Sequence, residues 1–486
     1  MTLALMTAVP IATALLLVVL GSRVGRSASA TVGAGALVIT LGAAGAVGQA
    51  FAAGKTSVLA ELGPWLPLRG AAIAFVVDPD SVWLLLAIAA IGAALGVYAA
   101  VRLRRDPAVV RFFIALDVLV SSVLVVLMAR DLILLLAGWQ AVGVAAYLLI
   151  AQDRGRSDAA AGASRAFVLA RASDAALVIA VLGMLALFQT VDLAQITGRL
   201  AASAPARPAE GLLVSSALIV IAALVRAGQV PFQAWLPDRS QTNLASLAAV
   251  HGLATIAGGF LLLRLAPVVD PQALVAGAAV GIASAIVGLL AVLADRRSSS
   301  FRWFTVAQLG VLTATCALGS PSVGVIVIGS SIVRIFAATL ADRWPSVARL
   351  VSAIGVLVAA VALGLGSPPT PLLAGVVAVA VLAGMDALLD LAGARVPSLG
   401  PAVRLRAVVG RTFTSLEALT AQLLRMTATL IERGGEQAGG TIERALVRGT
   451  GRVSWAVDRF HRSSVWAHEA LLLAAALVIV VYWIVR

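Results

Sequence analysis

The amino-acid sequence predicts an all-α polytopic membrane protein with about fourteen transmembrane helices. Of its 486 residues, 61% are hydrophobic and only 12% are charged, and the mean hydropathy is +1.03. A soluble domain carries about twice that share of charged residues. In addition, many apolar runs reach the roughly 20 residues that a helix needs to cross a bilayer. These observations exclude an ordinary soluble enzyme.

The apolar runs follow one another along the chain and are separated by short polar loops. They lie near residues 4–20, 31–53, 80–101, 112–129, 131–151, 166–188, 211–225, 243–268, 273–293, 303–318, 321–341, 348–365, 371–393 and 470–485. No basic segment precedes the first run, so we interpret it as a span and not as a cleaved signal peptide. The single cysteine, Cys316, excludes a disulfide framework and a cysteine metal site.

Arginines mark alternate loops and predict the orientation of the chain. The net charge of +13 arises in part from these loop arginines, so we do not interpret it as a sign of nucleic-acid binding. The arginines of these loops follow the odd-numbered runs: Arg23, Arg26, Arg102, Arg104, Arg105, Arg154, Arg156, Arg296, Arg297, Arg343 and Arg349. The positive-inside rule then predicts a multi-pass protein of a bacterial inner membrane with its N-terminus outside.

The most informative segment is R-A-G-Q-V-P-F-Q-A-W-L-P-D at residues 226–238. Gln229, Pro231 and Pro237 predict a break in what would otherwise be a membrane helix. A membrane tolerates irregular backbone where it is buried in protein or lines a wet cavity, and broken helices mark ion paths in transporters. The segment G-S-P-P-T-P at 366–371, with Pro368 and Pro369, is either a second break within one span, as in inverted repeats, or a loop between two spans.

These features divide the chain into five predicted regions. They are N-terminal spans at 1–105, a first repeat at 106–270, a second and shorter repeat at 271–395, a lateral helix at 396–466 and a C-terminal anchor at 467–486. The lateral region is rich in arginine and has apolar residues at helical spacing, which favours an amphipathic helix along the membrane surface. A disordered basic linker is the alternative.

Several polar residues at membrane depth form a candidate proton path: Gln140, Arg226, His251 and Arg334. Arg171 and Asp174 are one helical turn apart, and we expect a structural ion pair. Histidine titrates near neutral pH, which makes His251 a candidate relay, with a hydrogen-bonded packing histidine as the alternative.

Several motifs occur in a fixed order along the chain. They are F-F-I-A-L-D at 112–117, G-W-Q-A-V-G at 138–143, A-F-V-L-A-R-A-S-D at 166–174, the segment at 226–238, H-G-L-A-T at 251–255 and F-T-V-A-Q-L-G at 304–310. Together they resemble the antiporter-like family shared by respiratory complex I, Mrp-type sodium/proton antiporters and membrane subunits of inorganic-carbon pumps. The resemblance covers about residues 75–400 and implies two inverted repeats with broken helices.

The chain departs from the family pattern where the family titrates. The family has a glutamate at the position of Gln140 and a lysine at that of Arg226. A glutamine carries no charge and an arginine does not lose its proton, so the usual Glu–Lys relay is damaged. Gln140 is expected only to hydrogen-bond, for instance to Arg226. Arg334 stands where the family has a lysine. A direct sodium route is disfavoured because Asp117 and Asp174 are the only clear carboxylates well inside the first repeat.

The resemblance implies an antiporter-like subunit of a complex I-type NADH:quinone oxidoreductase that moves protons without redox chemistry of its own. We expect no catalytic residue, no metal and no cofactor in this chain, which has no phosphate-binding glycine fingerprint. The expected partners are the lipid bilayer and other membrane subunits, with quinone reached only through those subunits. Two alternatives stay open: a membrane subunit of an inorganic-carbon pump, favoured by G-G-F-L-L-L-R-L-A-P at 258–267, and a non-conducting structural subunit.

Overall fold

The computed structural model describes residues 1–318 apart from residues 80, 153–157, 203–208, 238–240 and 295–299. Within this part the chain is mostly helical. The helices are α1 Thr2–Val24, α2 Arg26–Ala52, α3 Val82–Arg102, α4 Val109–Met128, α5 Leu132–Ala151, α6 Ala159–Phe188, α7 Leu193–Ala202, α8 Ala209–Arg226, α9 Leu244–Ala249, α10 Ile256–Leu265, α11 Pro271–Ala294 and α12 Ser300–Ala317. Two strands, β1 Val58–Pro64 and β2 Ala72–Val77, form an antiparallel hairpin between α2 and α3.

Eight segments of the described part are long and apolar enough to cross a membrane. They include α1 to α6, the segment Leu244–Val268 that contains α9 and α10, and most of α11. A polytopic helical membrane protein is thereby confirmed. Arg334, Pro368, Pro369, the lateral region and the C-terminal anchor lie outside the described residues, so the total of fourteen spans and the lateral helix stay predictions.

Helix α4 lies at the centre of the described bundle, packed against α1, α2, α3, α5 and α10. Sixteen of its residues are buried, and the partly or fully exposed ones, Val110, Arg111, Ile114 and Val118, lie along one side of the helix. Glycines allow the neighbouring helices to come close. A Cβ added to Gly92 of α3 would lie 2.8 Å from Val120, and one added to Gly138 of α5 would lie 2.7 Å from Val125.

The hairpin and the short helix α7 were not predicted from the sequence. The hairpin is bonded to the loop between α4 and α5, where the backbone N–H of Arg130 donates to Ala74 O at 3.0 Å. The loop after α6 joins them, since Leu193 N donates to Arg130 O at 3.1 Å. We call this end of the bundle, formed by residues 58–77, 129–131, 189–193 and 264–269, the hairpin side.

Candidate functional site

The helix interruption lies between α8 and α9. Helix α8 ends at Arg226, a single 3₁₀ turn spans Gln233–Trp235, and α9 begins at Leu244. Gly228 has φ +61, a backbone conformation that glycine adopts without strain. The stretch at 226–238 therefore interrupts the helix, and Asp238 at its end lies outside the described residues.

Some polar groups of the interruption hydrogen-bond to nearby backbone or to a neighbouring helix, whereas both amide atoms of Gln233 and Oε1 of Gln229 are buried without a hydrogen-bond partner among the described residues. The indole N–H of Trp235 donates to Val225 O at 2.9 Å, and the backbone N–H of Val230 donates to Ser284 Oγ in α11 at 3.1 Å. Gln229 is fully buried and donates to Ala227 O at 3.2 Å. These bonds replace part of the missing helical hydrogen bonding, which helps a membrane to tolerate irregular backbone that is buried in protein.

Arg226 is the buried cation of the site. Only 3% of its surface is exposed, and its Nη2 lies 2.7 Å from Asp174 Oδ1 in α6. The same nitrogen donates to Trp139 O at 3.3 Å, and the guanidinium lies 4.7 Å from the centroid of the Trp139 ring. A cation over an indole face gains further attraction. The side chain is thus held by a carboxylate, a carbonyl and an aromatic ring.

Asp174 lies between two arginines, because Arg171 Nη2 is 2.8 Å from its second oxygen, Oδ2. The sequence predicted the ion pair between Arg171 and Asp174 but not the second ion pair, between Asp174 and Arg226. We call Arg171, Asp174 and Arg226 the Arg–Asp–Arg triad. It carries a formal charge of +1, since two fixed cations flank one carboxylate. The charge of its arginines does not change with pH in the physiological range.

Gln140 lies at the edge of the triad. Its Oε1 is 3.5 Å from Arg171 Nη1. The sequence had suggested a hydrogen bond to Arg226, but the amide contacts Arg171 instead. The physical reason is that Asp174, a charged acceptor, binds Arg226 more strongly than a neutral amide does. A cavity of about 10 Å³ beside Arg226 is lined partly by Gly143, Ala146 and Ala170, and this volume is close to that needed by one water.

His251 lies in a π-helical turn, Val250–Ala254, between α9 and α10. Such single turns of wider helix are frequent at functional sites. Its Nε2 is 2.8 Å from Pro237 O in the interruption, and its Nδ1 is 3.0 Å from Thr305 Oγ1 in α12. Because a carbonyl only accepts, Nε2 carries the hydrogen in that bond, and neutral Nδ1 accepts from the hydroxyl.

The structure thus brings Gln140, Arg171, Asp174 and Arg226 together, and it links His251 to the same interruption through Pro237. Sequence reasoning gave no role to Trp139, and it did not single out Thr305. Thr305 could have been found from the sequence, because it lies within the motif F-T-V-A-Q-L-G. Arg334 lies outside the described residues.

A separate polar cluster lies on the hairpin side, outside the spans. Arg130 forms ion pairs with Glu61 at 3.1 Å and with Asp192 at 3.0 Å. The neighbouring Asp131 caps α5 by accepting from Ile133 N and Leu134 N, each at 2.9 Å. Burial raises the pKa of Asp131 to about 6, an effect that the backbone hydrogen bonds partly offset.

Residues 129–340 match the family described as NADH:quinone oxidoreductase/Mrp antiporter, TM. The resemblance to the antiporter-like family is therefore confirmed. Over 261 residues, the chain is 30% identical to NADH-quinone oxidoreductase subunit L of Mycobacterium tuberculosis. This match covers 52% of this chain and 41% of that protein.

One further sequence comparison and one structural comparison agree with this resemblance. Over 255 residues, the chain is 29% identical to the probable inorganic carbon transporter subunit DabB1 of Halothiobacillus neapolitanus, covering 51% of this chain and 45% of that protein. The structure of the Mrp complex from Dietzia sp. DQ12-45-1b superposes with a TM-score of 0.64 at 21% identity, covering 99% of this chain and 63% of that one. The chain spans less than half the length of these curated relatives.

Proposed function

We propose that this chain is an antiporter-like membrane subunit of a complex I-type NADH:quinone oxidoreductase and takes part in redox-driven proton translocation. The redox chemistry belongs to partner subunits in this proposal. The observation that carries it is the position of His251, a titratable ring buried between the interrupted helix and α12. The similarity to subunit L supports the same assembly.

The surroundings of His251 allow it to hold either zero or one extra proton. When the ring is neutral, Thr305 donates to Nδ1; when the ring is protonated, Nδ1 donates and the hydroxyl of Thr305 accepts. A hydroxyl does both by rotating, so neither state leaves a buried group without a bond at this contact. The carbonyl of Pro237 accepts from Nε2 in both states. The hydrogen bond with Thr305 can therefore be kept on proton uptake by rotation of one hydroxyl.

The Arg–Asp–Arg triad has a different role in this proposal. Its arginines cannot supply a proton at physiological pH, so Arg226 acts as a fixed charge that orients water in the adjoining cavity and keeps Asp174 ionised. Gln140 adds a neutral polar group next to the triad by its contact with Arg171. Arg334 is proposed to extend this axis in the second repeat, beyond the described residues.

The finer topology belongs to the same proposal. We infer fourteen spans, two inverted repeats with a second break at Pro368 and Pro369, a lateral amphipathic helix and a C-terminal anchor. The alternating arginine loops support a bacterial inner-membrane location with the N-terminus outside, which places the hairpin side outside as well. The partners are the neighbouring membrane subunits.

The experiment is proton pumping by proteoliposomes that carry the whole native assembly. Wild type is compared with His251→Ala, Arg226→Ala and Thr305→Val. The matched control is Thr40→Val, which removes a buried hydroxyl that bonds only within α2, to Ala36 O at 2.9 Å. Lost pumping in His251→Ala, with the assembly intact on a native gel and the control unaffected, supports conduction through this axis. Unchanged pumping in both His251→Ala and Arg226→Ala contradicts conduction and leaves a structural subunit.

The similarity to DabB1 favours a second candidate, the membrane subunit of an inorganic-carbon pump. The two candidates differ in what they assemble with and in what drives them. Bicarbonate uptake that depends on this chain, in membranes without coupled NADH oxidation, would select the carbon pump. Pumping that requires NADH and quinone would select the respiratory assembly.

A further inference from the structure

Asp117 is a buried carboxylate that the proposed axis does not use. It lies in α4, its exposed fraction is 0%, and neither carboxylate oxygen has a hydrogen-bond partner among the described residues. It is eight residues from the start of α4 at Val109 and eleven from its end at Met128, which places it about 12 Å and about 16 Å from the two ends. It is therefore near the middle of a span.

The contrast with Asp174 indicates the charge state of Asp117. Asp174 contacts two guanidinium groups and is stable as an anion. An ionised carboxylate without a cation or a donor is strongly disfavoured in an apolar interior, and such a group takes up a proton instead. The neutral acid is the form that fits the surroundings of Asp117.

The arginines of α4 and of the helices around it lie close to the helix ends. The elements packed against α4 are α1, α2, α3, α5, α10, β2 and the π-helical turn. The ionisable residues of these elements and of α4, apart from Asp117 itself, are Arg23, Arg26, Tyr98, Arg102, Arg111, Tyr147, His251 and Arg264. Arg264 bonds to Ala129 O, beyond the end of α4, at 2.8 Å. The structure gives Asp117 no ion pair with any member of this set.

The face of α4 that carries Asp117 packs against the N-terminal helices. Residues four apart lie on one face of a helix. On one side of Asp117, Phe113 occupies the space above Gly33 of α2; on the other, Ser121 donates to Thr7 O of α1 at 2.8 Å. This location differs from that of the triad, which α5, α6 and α8 form. A metal cation needs several oxygen ligands, and no group of three His, Cys, Asp or Glu side chains that could hold one occurs among the described residues, so the surroundings favour a proton.

We propose that Asp117 is a second proton-binding site of this chain, a neutral carboxylic acid at membrane depth between α4 and the N-terminal helices. The site stands independently of the function proposed above, because it rests on burial and on the absence of a counter-charge. Release of its proton requires water to reach the interface between α4 and the two N-terminal helices.

The test is infrared spectroscopy of the full-length protein in its native assembly, comparing wild type with Asp117→Asn. The carbonyl stretch of a protonated carboxylic acid is separate from the bands of a carboxylate and shifts in heavy water. We expect Asp117→Asn to remove one such acid band, and we expect that band to persist in wild type at pH about 8, where a solvated aspartate is ionised. The control Ser121→Ala should keep the band.

Two outcomes would overturn the proposal. Loss of carboxylate bands in Asp117→Asn, with no acid band lost, would show that Asp117 is an anion. Conversion of the acid band to carboxylate on adding sodium ions would show a cation site. Because the readout needs no proton flux, failure of pumping in the His251 experiment leaves this result unaffected.

Discussion

Substitutions in the Arg–Asp–Arg triad should differ in how strongly they destabilise the protein. Asp174→Asn removes the only negative charge and leaves two guanidinium groups facing a neutral amide, so the formal charge rises from +1 to +2. Arg226→Met removes one cation and leaves the Arg171–Asp174 pair intact, so the charge falls to zero. We therefore expect Asp174→Asn to be the more damaging change, although it alters the shape of the side chain least.

The magnitudes follow from burial. Arg226 is only 3% exposed and loses a carboxylate at 2.7 Å in Asp174→Asn, and breaking a buried pair from one side costs about 3–5 kcal/mol. In Arg226→Met the lost hydrogen bonds and cation–π contact are offset by no longer burying a cation. We expect a loss below about 2 kcal/mol for that variant.

The measurement is thermal unfolding of the purified assembly, with all four members of the double-mutant cycle. In the Asp174→Asn background, adding Arg226→Met should raise the midpoint, because it removes the stranded cation. An Arg226→Met variant at least as unstable as Asp174→Asn would refute this reasoning, as would effects that simply add in the double variant.

Three further predictions concern packing, pH and capping. Gly258→Ala should destabilise the assembly by about 1–3 kcal/mol, because its Cβ would lie 2.5 Å from Ala223 O in α8, whereas Gly35→Ala, with nothing within 4 Å, should not. Asp131 has a raised pKa of about 6, so folded protein holds this proton more tightly than unfolded chain. Unfolding midpoints should then fall as pH rises from about 4 to about 6, and Asp131→Asn, which keeps the cap, should lose that component; an unchanged slope would contradict it. Asn243→Ala should cost about 1 kcal/mol by removing the cap at Ser246 N, which thermal unfolding would detect.

The spans were the most predictable part of the structure, since membrane thickness sets their length. The run near 4–20 became α1 at Thr2–Val24, and the run near 273–293 became α11 at Pro271–Ala294. The hairpin was missed because each of its strands has six or seven residues, well below the length of a span. The π-helical turn was missed because one extra residue in a helical turn leaves no mark on composition.

The candidate site was predictable in its members and not in all of its contacts. Arg171 and Asp174 follow from helical spacing, which the sequence displays directly. The bond between Asp174 and Arg226 joins residues 52 apart, and the bond between His251 and Thr305 joins residues 54 apart. Such pairings depend on how helices pack, which spacing along one helix does not encode.

The bonds of the hairpin side have a mechanical consequence. Arg130 ties β1 to the loop after α6, and Arg264 of α10 bonds to Ala129 O at the start of the α4–α5 loop. The ends of four helices are thus clamped to one another and to the hairpin. Tilting of these helices during a transport cycle would pivot about this clamped end, with larger displacement at the opposite end. Amide hydrogen exchange should accordingly be slower in 129–131 and 189–193 than at the opposite helix ends.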